Sequence, residues 1–225
     1  MPMINSLEKA TNPTAPLHEH QFVALEQQKA AATAGMWVFL TSEIMFFGAI
    51  FSAFLIYGYL YPEVFAHFSQ KLHLLLGSLN TGILLTSSWT MVMAVHGAQQ
   101  QNRRLLLRSL VFTFLLGAVF LGIKGYEWSA EIRSGDFPGS GQVNPRQGEI
   151  FLRLYFIMTG FHGLHVLIGL LLITGLWIDT ARKTNIPSSQ LHFTENLGLY
   201  WHFVDIVWIF LFPMLYLMDK PRLPW

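Results

Sequence analysis

Cysteine is absent from the 225-residue chain, and charged residues make up only 12% of it. Without cysteine there can be no disulfide, no thiolate-held iron–sulfur cluster, no c-type haem attached through C-x-x-C-H and no thiolate-bridged copper site. The formal charge of +1 provides no strong field for nucleic acid or for a highly charged partner. If the chain works in a redox system, thiolate-bound centres must therefore lie in other proteins.

Hydrophobic residues are abundant instead, at 52% of the chain, with 15% aromatic residues. This balance is typical of an integral membrane protein. A helix needs roughly 20 apolar residues to cross about 30 Å of hydrocarbon, and helices satisfy their own backbone groups there. The sequence therefore predicts an all-α, polytopic membrane bundle over residues 35–218 with five transmembrane helices, at about 35–58, 72–95, 105–128, 149–178 and 197–218.

Polar segments flank this predicted bundle. Residues 1–34 are expected to form a polar cytoplasmic segment, and residues 219–225 a short tail on the outer side. The distribution of Lys and Arg favours a cytoplasmic amino terminus by a narrow margin, with Arg103-Arg104 and Arg182-Lys183 next to inner span ends. The carboxyl terminus is then periplasmic, because the number of predicted spans is odd.

Ionisable residues occur within the first, third, fourth and fifth predicted spans. A charged group at the centre of a membrane helix costs about 2.5–3.5 kcal/mol on insertion scales, so each such group needs a partner or a wet cavity. Residues three apart share a helix face, which applies to two pairs here. We therefore predict one buried polar layer shared by the first, fourth and fifth spans, formed by Glu43, His162, His165, His202 and Asp205.

Three interpretations of this layer remain open. Interhelical hydrogen bonding is the commonest role of such groups. Histidines from facing helices could instead hold a metal or haem, making the chain a self-contained membrane metalloprotein or b-type cytochrome that uses His162, His165 and His202. A proton relay in a small transporter is the third interpretation, although the sequence shows no row of ionisable groups leading from Glu43 to the far side.

Other residues are predicted to lie near the membrane surface. Lys124 and Glu127, three apart near the end of the third span, are expected to pair at the outer interface. Aromatic residues near span ends suit interfacial anchoring. The candidate lipid contacts are Trp37, Glu43, Trp201 and Trp208.

Four stretches resemble signature segments of one known family. They are "LTSEIMFFGAIFSAFL" (40–55), "FLGIKGYEW" (120–128), "GFHGLHVLIGLLLI" (160–173) and "YWHFVDIVWIFLFPMLY" (200–216). Together they resemble subunit III of haem–copper terminal oxidases, in the short five-helix form. The long form has two additional amino-terminal helices, and a phospholipid-holding cleft lies between those two and the remaining five. What replaces the missing pair is left open.

The resemblance implies an accessory subunit without haem or copper of its own, since partner subunits hold both. Such a subunit packs directly on subunit I, beside subunit II and other small oxidase subunits, binds structural phospholipids, stabilises the catalytic core and supports proton uptake. The complex translocates protons and reduces oxygen to water in aerobic electron transport, in the bacterial cytoplasmic (inner) membrane, where it can join a larger respiratory supercomplex.

The resemblance also bears on single residues and on the donor. Glu43 matches the family's membrane-buried carboxylate, while His162, His165, His202 and Asp205 match its recurrent polar positions. None of these positions is a redox ligand in that family, and none is catalytic. The electron donor, cytochrome c or quinol, stays open at this point.

Overall fold

Six helices form the described part of the chain in the computed structural model, which describes residues 25–135, 137–138, 146–183 and 185–218. The predictions for most of residues 1–34 and for the tail 219–225 lie outside these ranges. The helices in chain order are α1 (Leu25–Leu60), α2 (Pro62–Lys71), α3 (Leu74–Gln99), α4 (Arg103–Ser134), α5 (Arg146–Arg182) and α6 (Ser188–Tyr216). The predicted all-helical architecture is therefore confirmed.

The chain divides into two compact units, residues 1–39 and 40–225. The first unit holds the beginning of α1, where Trp37 is 57% exposed. The second unit holds the rest of α1 and the five following helices. All the contacts described below lie within the second unit.

Within the described residues, four helices are long and apolar enough to cross a membrane: Ala30–Leu60 of α1, all of α4, Gly148–Arg182 of α5, and all of α6. The remaining predicted span, 72–95, corresponds to α3, which has 26 residues but is less apolar. Its composition accounts for this, because it carries a series of hydroxyl and amide side chains: Ser78, Asn80, Thr81, Thr86, Ser87, Ser88 and Thr90.

Two helix boundaries differ from the sequence prediction, and proline explains both. Pro62 occupies the first turn of α2, a short helix between the predicted spans 35–58 and 72–95; its missing N–H and fixed φ suit that position. Pro187 likewise precedes α6, which begins at Ser188, before the predicted span start at 197. Helix α2 buries Phe65 and Phe68, so it is part of the packed structure.

The α2 helix is tied to the carboxyl-terminal end of α6. The Ser69 hydroxyl donates to the Leu215 carbonyl at 2.7 Å. Phe65 packs edge-on against Phe54 of α1 with ring centroids 5.2 Å apart, and against Phe151 of α5 at the same spacing of 5.2 Å. A short amphipathic segment therefore joins three long helices at one end of the bundle.

Trp201 lies at the centre of the packing. Its side chain is fully buried, and its indole N–H donates to the Ser87 hydroxyl of α3 at 3.1 Å. Two glycines leave room for the ring: a Cβ on Gly169 of α5 would lie 2.7 Å from the indole, and a Cβ on Gly117 of α4 would lie 2.9 Å from it. The indole of α6 thus contacts α3, α4 and α5 together.

Replacing Gly169 with alanine should therefore destabilise the protein, by about 1–3 kcal/mol, because overpacking forces neighbouring side chains off their rotamers. Gly175→Ala on the same helix is the matched control, since its Cβ would meet nothing within 4 Å. Denaturation in detergent, followed by tryptophan fluorescence, measures both. Equal stability of the two variants would contradict the close packing of the Trp201 ring against Gly169.

Candidate functional site

Glu43 contacts His165, one of the two α5 histidines in the predicted polar layer. Its Oε2 lies 3.2 Å from Nε2 of His165, which joins α1 to α5. The two side chains are 20% and 12% exposed, respectively. Around them, Phe47 packs edge-on against His165 at 5.4 Å, and Phe46 against Phe161 at 4.9 Å. The Glu43 carboxyl group therefore lies between α1 and α5, next to aromatic side chains of both helices.

The second ring nitrogen of His165 limits how protons are placed in this contact. Nδ1 lies 2.7 Å from the Phe161 carbonyl oxygen, which can only accept, so Nδ1 carries a hydrogen. A hydrogen bond at Nε2 then has two forms: a carboxylic acid donating to neutral imidazole, or imidazolium donating to carboxylate. In both forms the two groups share one proton and have no net charge.

His162 lies on the same helix but in different surroundings. It is 1% exposed, and its ring packs against Phe120 at 5.6 Å and Trp208 at 5.3 Å. Neither ring nitrogen has a hydrogen-bond partner among the described residues. His162 therefore faces the apolar interior of the bundle, and the structure does not join it to Glu43.

His202 and Asp205 on α6 are directed towards α3. The His202 Nδ1 lies 2.7 Å from the Ser88 hydroxyl. Asp205 is 3% exposed; the Ser88 hydroxyl lies near it, although both carboxylate oxygens lack a partner of hydrogen-bonding geometry within the described ranges. The five residues predicted to form a single layer thus belong to separate contacts.

Helix α3 supplies the partners that the sequence reading missed. Besides Ser88, the Thr90 hydroxyl lies 2.8 Å from that of Thr113 on α4, and Thr81 accepts from the indole of Trp208 at 3.1 Å. The sequence feature that could have indicated these partners is the row of hydroxyl residues in the otherwise apolar run of α3. Such side chains hydrogen-bond across membrane helices.

Lys124 and Glu127 form the most deeply buried ion pair, with Nζ and Oε2 2.6 Å apart. The pair was predicted at the outer interface, but these residues are only 7% and 2% exposed. Lys124 also donates to Tyr216 at 2.9 Å and to Tyr155 at 3.3 Å. The two residues thus pair as predicted, and α4 continues to Ser134, beyond the predicted end at 128, so the pair lies within the helix. Its level relative to the outer interface stays a prediction.

This cluster satisfies its polar groups almost completely. The Lys124 ammonium has three N–H donors, and Glu127, Tyr155 and Tyr216 accept them. The Tyr216 hydroxyl donates in turn to Oε1 of Glu127 at 2.6 Å. Opposite charges with complete hydrogen bonding are the condition under which buried ions are tolerated. The tyrosines, on α5 and α6, were not among the predicted site residues.

Two of the four candidate lipid contacts are corrected by burial. Trp201 and Trp208 are fully buried, with their indole N–H groups bonded to α3. Their aromatic surface is used within the bundle, because facing glycine and hydroxyl residues admit the rings. The other two candidates, Trp37 and Glu43, keep exposed surface, at 57% for Trp37 and 20% for the Glu43 side chain.

The three histidines considered as metal or haem ligands do not converge. His165 faces Glu43, His162 faces two aromatic rings, and His202 faces Ser88. Within the part of the chain that the structure describes, no group of three or more His, Cys, Asp or Glu side chains is arranged to hold a metal ion. The contacts present instead fit helix-to-helix hydrogen bonding.

Breaking the buried ion pair from one side should be costly. We expect Lys124→Met to destabilise the protein by about 3–5 kcal/mol, because Glu127 would remain as an uncompensated buried charge. The double variant Lys124→Met/Glu127→Leu should recover part of that loss, since it removes both charges. Arg153→Met, which breaks the exposed pair with Glu149 (3.4 Å), should cost less than about 1 kcal/mol. Reversible unfolding in detergent measures all three; additive losses in the double variant would refute the coupling.

The two histidines of α5 should respond oppositely to the same substitution. His162→Leu is expected to leave stability unchanged or raised, because it removes ring nitrogens whose unsatisfied burial costs about 1–3 kcal/mol. His165→Leu should lower stability by a similar amount, since the Glu43 carboxyl loses its partner. Unfolding midpoints measured side by side test this contrast. A loss in His162→Leu as large as in His165→Leu would show that His162 has a partner outside the described contacts.

Comparisons with known proteins match this architecture. Residues 19–220 match the family model described as cytochrome c oxidase subunit III. Cytochrome c oxidase subunit 3 of Thermostichus vulcanus is 34% identical over 187 residues, which cover 83% of this chain and 87% of that protein. Probable quinol oxidase subunit 3 of Staphylococcus epidermidis is 32% identical over 191 residues, with coverages of 82% and 87%.

The corresponding Staphylococcus aureus protein, also named probable quinol oxidase subunit 3, is 31% identical over 188 residues at the same coverages of 82% and 87%. The names of these relatives refer to two electron donors, cytochrome c and quinol, but to the same subunit, subunit 3. The resemblance of the four sequence stretches is thereby confirmed: the chain belongs to the cytochrome c oxidase subunit III family of haem–copper oxidases.

Proposed function

We propose that this chain is the accessory subunit III of a respiratory haem–copper terminal oxidase, which stabilises catalytic subunit I and supports proton uptake during the reduction of oxygen to water. The family match over residues 19–220 is the observation that carries the proposal. Relatives named as cytochrome c and quinol oxidase subunits support either donor. The chain itself contributes no catalytic group, and haem and copper are held by partner subunits.

The bundle supports the stabilising role through its cross-links. Separate polar contacts join α1 to α5, α3 to α6, and α4 to both α5 and α6. Each contact is matched in hydrogen bonding or charge, so the helices keep one arrangement inside hydrocarbon. A rigid surface of this kind suits direct packing on subunit I, beside subunit II and other small oxidase subunits.

The Glu43–His165 pair supports the proposed role in proton uptake. It is partly exposed, with the carboxyl and imidazole groups 3.2 Å apart, and carboxyl and imidazole side chains inside membrane spans are the groups that form proton relays. With a cytoplasmic amino terminus and five crossings, including α3, the pair lies in the cytoplasmic half of the membrane. Protons enter a terminal oxidase from that side.

The remaining assignments follow from this placement. The complex is expected in the bacterial cytoplasmic membrane as part of aerobic electron transport, with structural phospholipids along its apolar surface and a larger respiratory supercomplex as a further partner.

Purification of the tagged chain from native membranes tests the assignment. We expect it to co-isolate with haem-bearing subunits at equal stoichiometry, with a Soret band and donor-dependent oxygen consumption in the same fraction. A tagged multi-pass protein from another complex serves as the control. A Soret band or tightly bound metal in the isolated chain, or solute flux through it alone in liposomes, would instead support the metalloprotein or transporter interpretation.

A strain lacking the chain tests the supporting role. The oxidase purified from this strain should start at a rate comparable to that of the complete oxidase but lose activity sooner during continuous turnover. Slow proton uptake prolongs the lifetime of reactive intermediates, which is the reason for the earlier loss. Complementation with the full chain is the control. An unchanged number of turnovers before inactivation would contradict a role in proton uptake while leaving subunit membership intact.

A further inference from the structure

A groove on the bundle surface lies where α5 ends and α6 begins. It has a volume of about 410 Å³ and is open on one side. Its apolar lining comes from Leu171, Leu172, Gly175 and Phe193, and its polar lining from Asp179, Lys183, Ser189 and Gln190. No contact of the proposed oxidase role uses these residues.

The polarity of the lining is graded along the helix axis. Leu171 lies about 17 Å from Arg182, the last residue of α5, at 1.5 Å per residue. Apolar residues line the groove at that depth, whereas Asp179 and Lys183 lie at the helix end. Because both helices reach the membrane surface here, the groove is apolar at acyl-chain depth and charged at headgroup depth.

The charged end offers groups of both signs. Lys183 and Asp179 pair at 2.7 Å, with both side chains 46% exposed. At the start of α6, after the Pro187 cap, the N–H groups of Ser188 and Ser189 precede the first bonded one, which is that of Gln190 to the Pro187 carbonyl. Free N–H groups at a helix start favour an anion. A phosphate therefore has the Lys183 ammonium, the Ser189 hydroxyl and the helix terminus as partners.

Two acceptors lie at the same end. One is the Asp179 carboxylate. The other is Gln190, which is only 5% exposed; its Nε2 donates to the Thr180 hydroxyl, while its Oε1 has no hydrogen-bond donor among the described residues. The exposed Asp179 carboxylate suits a cation that carries N–H groups, and the buried Gln190 oxygen adds a partial negative charge at the same end of the groove.

We propose that this groove binds one phospholipid with a primary-amine headgroup, of the phosphatidylethanolamine class. The phosphate contacts Lys183 and the α6 terminus, the ammonium contacts Asp179 with Gln190 beside it, and the upper part of one acyl chain lies against Leu171, Leu172 and Phe193. Choline headgroups fit less well, because a quaternary ammonium has no N–H to donate. The proposal rests on the membrane location of the chain and is independent of its assembly into an oxidase.

Lipid retention measures this site directly. The full chain, with whatever it is assembled with, is placed in nanodiscs containing equal amounts of phosphatidylethanolamine and phosphatidylcholine, and the lipids retained after release are counted by native mass spectrometry. We expect one phosphatidylethanolamine per chain. The variant Asp179→Asn/Lys183→Gln should lower its retention about tenfold, as expected for the loss of a charge-assisted contact.

Two further variants make the test specific. Glu149→Gln/Arg153→Gln removes the other exposed i,i+4 pair of α5 and should leave retention unchanged. Gly175→Leu, where a Cβ meets nothing within 4 Å, should fill the groove and displace the lipid with all its charges intact. Equal retention of the two lipids, loss of retention in the control pair, or protection of the groove by a protein segment would overturn the proposal.

Discussion

The buried indole of Trp201 is the contact on which the arrangement of the bundle depends. One side chain of α6 reaches α3 by a hydrogen bond and lies against glycines of α4 and α5. In hydrocarbon, helices gain little from hiding apolar surface from lipid, so close packing and hydrogen bonds must hold them together. Gly117 and Gly169 permit that approach, because any side chain there would occupy the space of the ring.

The polar groups of the bundle add specificity to this packing. Each buried donor or acceptor that finds its partner on a different helix penalises any other arrangement of the helices, since a group left alone in the membrane costs several kcal/mol. The Lys124 cluster shows this most fully, because its ammonium meets three acceptors supplied by α4, α5 and α6. A rotation of α5 or α6 would leave an N–H group of this ammonium without its tyrosine acceptor.

Sequence reasoning recovered the helices well and their side-chain contacts only partly. Apolar runs and proline positions determine where membrane helices can form, so the class of fold followed from composition and length. Depth and helix face also placed Glu43 near His165 correctly. Neighbouring helices in a bundle, however, are not determined by one-dimensional periodicity, and so α3 was missed as the partner of His202.

The same limit explains why the burial of Trp201, Trp208 and Lys124 was not predicted. Tryptophan at a membrane span and charge near a span end are both commoner at the interface, and the sequence prediction followed that preference. Burial was decided by what faces each residue: glycines for Trp201, a threonine for Trp208, and two tyrosines for Lys124. Those partners are 31 to 127 positions away along the chain and become neighbours only through the fold.

The short separation of Glu43 and His165 has an electrical consequence. A proton that moves between Oε2 and Nε2 crosses at most 3.2 Å, about a tenth of the hydrocarbon thickness. A full crossing couples to the membrane voltage by about 2.3 kcal/mol per 100 mV, so this transfer couples by only about 0.2 kcal/mol. The membrane voltage therefore has little influence on a proton transfer confined to this contact, whether the membrane is charged or discharged.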